Sequence, residues 1–398
     1  MNSKGILAAI FLMATSAIGP GFITQTANFT VKFGAAFAFA ILLSILIDII
    51  VQQNIWRMVS ATGRFATELA NTAIPFSGHL LAVLVIFGGL VFNVGNIAGT
   101  GLGLSSMAGI DPKIGGLFSA AFAIFVFSSK KASIAMDRLV IGLGLLMLAL
   151  TLYVCFTTQP PVALALKQSV LPDAIDMASI TTIIGGTVGG YICYSGAHNI
   201  LDKGLVGKEH QKRVGQAATN AIIIVGAMRC ILFLAMLGVI TKGGVIDLSA
   251  KDANPAAQAF FFVLGDIGTR IFGFIFWAAA ITSVFGCAYT CMSFLKPFWP
   301  SITLRQRNIA TIFFICISLL VYVVLNKAPA ALLVFAGGFN GLILPLGLSI
   351  FVYLGFKRQD LMDGYKYPAW LLYSGLVACL LTWYMGLSSI KSIFAYLN

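Results

Sequence analysis

Long apolar runs follow one another from end to end of the chain, separated by short polar stretches. Eleven apolar segments are predicted, spanning about 5–30, 34–58, 79–106, 114–129, 138–157, 178–200, 215–240, 268–294, 307–326, 330–355 and 369–390. A helix needs roughly 20 apolar residues to cross a bilayer, and none of these runs shows the strict alternation of a barrel strand. The pattern therefore predicts an all-α, multi-pass membrane protein of about eleven transmembrane helices. Between the second and third segments, GRFATELANTAI is short and amphipathic and is expected to lie at the interface. The first segment ends in SAIGPG and runs on into apolar chain without a small-residue cleavage site, which predicts a retained span.

Two of the segments contain poor helix interiors. Residues 16–29 read SAIGPGFITQTANF, so Gly19-Pro20-Gly21 removes a backbone donor and flanks the gap with flexible residues. Residues 185–196 read GGTVGGYICYSG, with Gly185, Gly186, Gly189 and Gly190 close together in the sixth segment. A bilayer holds no water to satisfy freed backbone groups, so such breaks belong where they face protein or a cavity. The two broken segments are five apart. That spacing matches two inverted five-helix repeats, each opening with a discontinuous helix and binding its solute between the breaks. The expected organisation is one transporter domain over 1–398, with repeats at 1–157 and 178–355 and an extra helix at 369–390.

Composition agrees with this picture. Of 398 residues, 59% are hydrophobic and 10% charged, against about 25% charged in a soluble domain. The net charge of +12 is read as topology, with no nucleic-acid partner. With the N-terminus cytoplasmic, the inner loops collect Lys4, Arg57, Arg64, Lys130, Lys131, Arg138, Lys203, Lys208, Lys212, Arg213, Lys296, Arg305, Arg307, Lys357, Arg358 and Lys366. The outer loops hold only Lys32, Lys113, Lys167, Lys242, Lys251, Arg270, Lys327 and Lys391. The expected location is the cell inner (plasma) membrane. The seven cysteines lie mostly inside apolar segments and read as packing residues, not as a disulfide framework or zinc site. No nucleophile–base arrangement or phosphate-binding loop is visible, so no enzyme and no cofactor is expected.

At the residue level the chain resembles the Nramp family of proton-coupled divalent-metal transporters, over nearly its whole length. GPGFITQTANFTVKFG resembles the family's first helix and the turn into the second. PPVALALKQSVLPDAIDMASITTIIGGTVGGYICYSG resembles its fifth-to-sixth loop and sixth helix. VGNIAGTGLGL and LLVFAGGFNGLILPLGL are similar to its third and tenth helices. The resemblance implies a LeuT-like fold with discontinuous helices 1 and 6. It does not carry over the metal site. The family's Asp-Pro-Gly-Asn falls on Gly19, Pro20, Gly21 and Phe22, and its Met-Pro-His falls on Gly189, Gly190 and Tyr191. Two acidic residues of the third helix fall on Asn93 and Asn96, and glutamines of the eighth and tenth fall on Ala280 and Gly337. Carboxylate, imidazole and thioether ligands are lost together, and neutral groups alone do not replace the hydration of a dication. No metal site is expected.

What remains is a neutral polar set beside two helix N-termini. Gly19, Gly21, Phe22, Thr24, Gln25 and Asn28 surround the first break; Thr187, Gly189, Gly190, Tyr191 and Ser195 surround the second. Asn93, Asn96, Thr282, Ser283 and Asn340 stand on neighbouring segments. Gly189 and Gly190 are expected to make room for an object larger than a bare ion. Amides, hydroxyls and helix N-termini suit a small polar organic solute bearing a carboxylate or amide. The expected function is secondary transport by alternating access, with proton or sodium coupling. A divalent cation such as partly hydrated magnesium is the alternative substrate, and a non-transporting sensor is the alternative class. Asp48 in LLSILIDIIVQQ, Arg229 and His198 are the coupling candidates, because intramembrane ionisable groups are costly and tend to be functional. Asp48 and Arg229 have a structural alternative as a buried pair, and His198 as an interfacial residue.

Overall fold

In the computed structural model, residues 3–128, 130–248 and 253–397 are described. They form fifteen α-helices and three short 3-10 turns, with no strand among the described residues. Every predicted apolar segment is found as a helix or as a pair of helix halves. The first segment divides into α1 (Ser3–Ala17) and α2 (Pro20–Phe33), and the second is α3 (Phe37–Thr62). The amphipathic stretch is α4 (Ala66–Ala73), followed by α5 (Ser77–Ala108), α6 (Pro112–Ser128) and α7 (Lys130–Thr158). A short helix absent from the sequence reading, α8 (Val162–Val170), turns by 105° from the end of α7. The sixth segment divides into α9 (Met177–Val188) and α10 (Ile192–Asp202). Then come α11 (Gln211–Thr241), α12 (Pro255–Ser293), α13 (Leu304–Leu325), α14 (Pro329–Lys357) and α15 (Ala369–Ala395). Among the described residues, seven helical stretches, one of them α2 and α3 taken together, are long and apolar enough to cross a membrane by length and composition. Lys4, Lys130, Lys131, Arg138 and Lys251, part of the charge asymmetry above, lie outside the described residues or have side chains that do.

Local chemistry explains the boundaries. Pro20 stands at the first position of α2, where its missing N–H costs nothing. Asp176 and Asn254 cap α9 and α12 through side-chain oxygens that accept from Ser179 and Ala257 amides. The segment predicted at 268–294 begins earlier, at Pro255, and bends at Gly265, whose φ of 64° is left-handed. The break expected within 185–196 falls at Gly189–Tyr191, and α9 runs through Gly185 and Gly186 before it stops. Those two glycines serve a close approach. A Cβ at Gly185 would lie 2.1 Å from the Gly337 carbonyl oxygen and 2.2 Å from the Gly341 amide nitrogen of α14. Helices in lipid gain little from apolar burial against one another and associate through such small-residue packing and interhelical hydrogen bonds.

On the side of the molecule that carries α4, one polar contact ties neighbouring elements together. Lys296, after α12, pairs with Glu68 of α4 at 2.8 Å, and its ammonium lies 4.8 Å from the Phe65 ring centre. Glu68 also accepts the Phe65 amide at the start of α4. Both partners of the ion pair are well exposed, and such pairs contribute about 0–1 kcal/mol. Glu68→Gln keeps the helix cap and removes the charge. It is expected to change the thermal midpoint of the detergent-purified protein by no more than a few degrees.

Candidate functional site: two interrupted helices around a buried guanidinium

At the first break the chain leaves α1 at Ala17 and enters α2 at Pro20, with Gly19 extended at φ −102° and ψ −173°. Gly19 faces α12: a Cβ there would lie 3.0 Å from the Ser283 hydroxyl. Asn96 of α5 donates to the Ser283 carbonyl at 3.3 Å, so α5 and α12 meet beside this break. The N-terminus of α2 then points Gly21 and Phe22 amides toward the gap, a partial positive charge. Thr24 is fully buried, and its hydroxyl has no hydrogen-bond partner. Asn28, farther along, keeps a partnerless side-chain oxygen.

The second break is tighter than expected. Gly190 has φ 54°, a conformation that favours glycine, and Tyr191 is the N-cap of α10. The expectation that Gly189 and Gly190 make room for a solute is corrected. A Cβ at Gly190 would lie 2.1 Å from the Asn340 side-chain oxygen, and one at Gly189 would meet the Gly185 carbonyl at 2.4 Å. Asn340 is held by donating to the Gly88 and Ala336 carbonyls, both at 2.9 Å, so it fills this space as a strut between α5, α14 and the break. Gln25 behaves similarly. It donates to the Leu333 carbonyl at 3.0 Å and wedges against Gly186 and Gly337, leaving its oxygen without a partner. Asn93 turns away from the breaks to donate to Ser318 of α13 at 3.1 Å. Tyr191 is buried edge-on to Phe92, with ring centres 5.8 Å apart, and its hydroxyl is near Cys287 and Asn96.

The most informative side chain is Arg229 of α11, 2% exposed. Its Nη1 donates to the Thr187 hydroxyl at 2.9 Å and to the Ile183 carbonyl at 3.3 Å, both in the last turns of α9. A cation at a helix C-terminus opposes the macrodipole there, which explains why an arginine is tolerated at this depth. The guanidinium carbon also lies 4.2 Å from the centre of the Phe22 ring, a cation–π geometry. Phe22 stands where the resemblance puts a metal-binding asparagine. The internal charge at that position is therefore a guanidinium held by the chain itself. Arg229 Nε and Nη2 have no partner.

Asp48 of α3 is 1% exposed, feels the charge of Arg229 and lies beside the Thr187 hydroxyl. The two do not form a direct ion pair among the described residues, and Asp48 Oδ1 has no partner. One helical turn further along α3, Gln52 is fully buried with neither its amide nitrogen nor its oxygen satisfied. The sequence reading passed over Gln52, although its spacing from Asp48 puts both on one helix face. His198 is elsewhere. It is caged by Phe65, Tyr194 and Phe294 at ring-centre distances of 4.8, 6.4 and 5.1 Å, and neither ring nitrogen has a partner.

A cavity of about 430 Å³ reaches the first break from the α1 side. Thr15 and Ile18 of α1, Met147 of α7, Met228 of α11 and Ala279 and Thr282 of α12 are among its walls. It is mostly apolar. Thr282 spends its hydroxyl on its own helix, donating to the Ala279 carbonyl at 3.0 Å. Among the described residues no group of three or more His, Cys, Asp or Glu side chains is placed to hold a metal ion.

Two interrupted helices in an all-helical, multi-pass bundle match the LeuT-like transporter fold. The natural resistance-associated macrophage protein-like (Nramp) family model matches residues 10–392, and the chain belongs to that family. Two relatives are close in sequence. An uncharacterised membrane protein of Haemophilus influenzae is 47% identical over 395 residues, covering 99% of this chain and 97% of its own. The uncharacterised membrane protein YcsG of Bacillus subtilis is 46% identical over 382 residues, covering 96% and 93%. Among solved structures, the Eremococcus coleocola manganese transporter superposes with a TM-score of 0.75 at 15% identity, over 97% of this chain and 86% of that one. MhsT in complex with L-phenylalanine gives 0.64 at 16% identity, over 98% of each chain. At these identities the structures support the fold alone.

Proposed function

We propose that this Nramp-family protein is a secondary transporter that moves a small polar organic solute, bearing a carboxylate or an amide, by alternating access. The observation that carries this reading is the guanidinium of Arg229 on Phe22, at the position where the family resemblance puts a metal ligand. A dication about 5 Å from a guanidinium is repelled by on the order of 7 kcal/mol at an effective dielectric of about 20. At the breaks themselves Gly19 and Tyr191 stand in place of the acid and the imidazole, and the nearby Asp48 offsets part of the guanidinium's charge without supplying a ligand set for a metal ion. Neutral donors, helix N-termini and a cation favour a solute with acceptor groups.

In this reading Gly19, Gly21, Phe22, Thr24, Asn96, Thr187 and Tyr191 border the solute path. Gln25, Asn28, Asn93, Gly189, Gly190, Thr282 and Asn340 shape or brace it. The protein sits in the cell inner membrane with its N-terminus cytoplasmic, and protons or sodium supply the driving force. The repeats over 1–157 and 178–355 supply the two broken helices, and α15 is the addition. Tilting of the α1 and α10 halves, hinged at Gly19 and Gly190, against a frame that keeps α9 and α14 together exposes the site to each side in turn.

The test is an uptake panel in proteoliposomes, with manganese, magnesium, small carboxylates and their neutral amides offered separately. Accumulation of a carboxylate or amide, with manganese and magnesium at the level of empty vesicles, is the expected outcome. Metal uptake without organic uptake returns the protein to the family's divalent-cation chemistry, the second reading that membership itself favours. No uptake of any kind would make it a sensor.

A further inference from the structure

Arg229 is an incompletely satisfied buried cation, and the way it is incomplete is specific. Its Nη1 is spent on Thr187 and the Ile183 carbonyl, while Nε and Nη2 are without partners. Those two nitrogens form the side-on edge of the guanidinium, the fork that accepts both oxygens of a carboxylate. Burying such donors unsatisfied is expensive. Asp48, the carboxylate acting on Arg229, does not take the edge, and its own Oδ1 is unused. Gln52, a turn away on α3, adds an unused donor and an unused acceptor. The packed helices α3 and α11 thus carry unsatisfied buried donors and acceptors, with Asp48 acting on Arg229 and Gln52 one turn further along α3.

We propose that the Nε–Nη2 edge of Arg229 receives the carboxylate of a small monoanionic solute, and that Asp48 takes up one proton as the solute binds. This deepens the proposed function and rests on it. With Asp48 ionised, Asp48 and Arg229 sum to zero charge. A carboxylate entering at Arg229 brings the cluster to −1, which is costly in a low-dielectric interior. One proton from solvent, bound to a carboxyl oxygen of Asp48, restores zero, and no bond to the solute is made or broken. Coupling is then electroneutral, one proton with each monocarboxylate. The solute's neutral remainder meets Gln52, which suits a group that both donates and accepts.

No other charged group competes for this role. On the elements packed against α3 (α2, α4, α8, α9, α10, α11, α14 and α15), Arg229 is the charge acting on Asp48 among the described residues. The Cys230 thiol is the remaining titratable group that acts on Arg229. His198 on α10 is influenced by Lys296 and lies in its own aromatic cage.

The experiment uses the purified full-length protein and matched pairs of probes: small α-hydroxy and α-amido carboxylates, each beside its neutral primary amide. Binding is read by calorimetry in buffers of different ionisation enthalpy, which counts protons. The expected result is that at least one carboxylate binds while its amide does not, with uptake of about one proton per ligand by charge balance. Arg229→Lys keeps the charge without the fork and is expected to weaken binding about tenfold to a hundredfold. Asp48→Asn is expected to bind the carboxylate with no proton uptake. The double variant D48N/R229Q has a neutral core, and its lost binding is read once its size-exclusion profile and thermal midpoint match those of the parent protein. Carboxylate binding that survives in the double variant, or proton uptake that survives in Asp48→Asn, overturns the assignment. So does equal binding of acid and amide, or binding of no carboxylate. If neutral amides accumulate in vesicles while carboxylates do not, the solute reading stands and the Arg229 anchor falls. If only metals accumulate, both fall.

Discussion

Gly185→Ala is expected to be among the most damaging single-methyl changes in the protein. The new Cβ has no flexible side chain to displace: its nearest neighbours are the Gly337 carbonyl oxygen, the Gly341 amide nitrogen and the Gly341 Cα, at 2.1, 2.2 and 2.7 Å. Relief requires α9 and α14 to part along their whole contact. Overpacking of an interior costs about 1–3 kcal/mol when side chains can adjust, and here the cost should reach or pass the upper figure. Gly286→Ala is the control. It lies in a helix with nothing within 4 Å of the added atom, and should be neutral or stabilising by up to about 1 kcal/mol. Fluorescence-detected size-exclusion after a temperature series reads both. Equal midpoints for the two variants would show that α9 and α14 are not in the close contact described.

The second large effect concerns Asp48 and Arg229 as a thermodynamic pair. Arg229→Gln leaves a buried carboxylate facing the C-terminus of α9 with no cation, and should lower stability by about 3–5 kcal/mol. Asp48→Asn leaves the guanidinium, which still has Thr187, the Ile183 carbonyl and the Phe22 ring, and should cost less. Combining them removes both charges, so the double variant should be more stable than Arg229→Gln alone. The same thermal series closes the cycle. Strict additivity would mean that the two groups do not sense each other.

How far the sequence could be read depended on which physical rule governed each feature. Segment positions follow from the solvent, since the bilayer forces apolar runs into helices, and the long helices fall where the pattern puts them, while α8 and the first turns of α12 lie outside it. The two breaks were also visible, one through Pro20 and the other through a glycine cluster. The role of each glycine was not. Gly185 and Gly190 read alike in a string, yet one lets two backbones touch and the other supplies a positive φ. That difference depends on Gly337, Gly341 and Asn340, more than a hundred residues away. The same limit applies to Asn93, whose partner Ser318 lies 225 residues on. Asp48 and Arg229 stood out as intramembrane charges, but the stacking of Arg229 on Phe22 needed coordinates, because nothing in a phenylalanine announces a cation. Gln52 was within reach of periodicity, four residues from Asp48, and was missed for want of charge.

The glycine seam between α9 and α14 also limits which parts of the site can shift independently. Where two main chains touch, no rotamer is available to absorb sliding. A displacement of one residue's rise, about 1.5 Å, would drive carbonyl into amide. On the opposite side, α1 rests against α10 and each is joined to its other half through a flexible glycine. Any travel of the α9 half must therefore carry α14 with it as one plank, whereas the α1 and α10 halves are free to tilt on their own pivots.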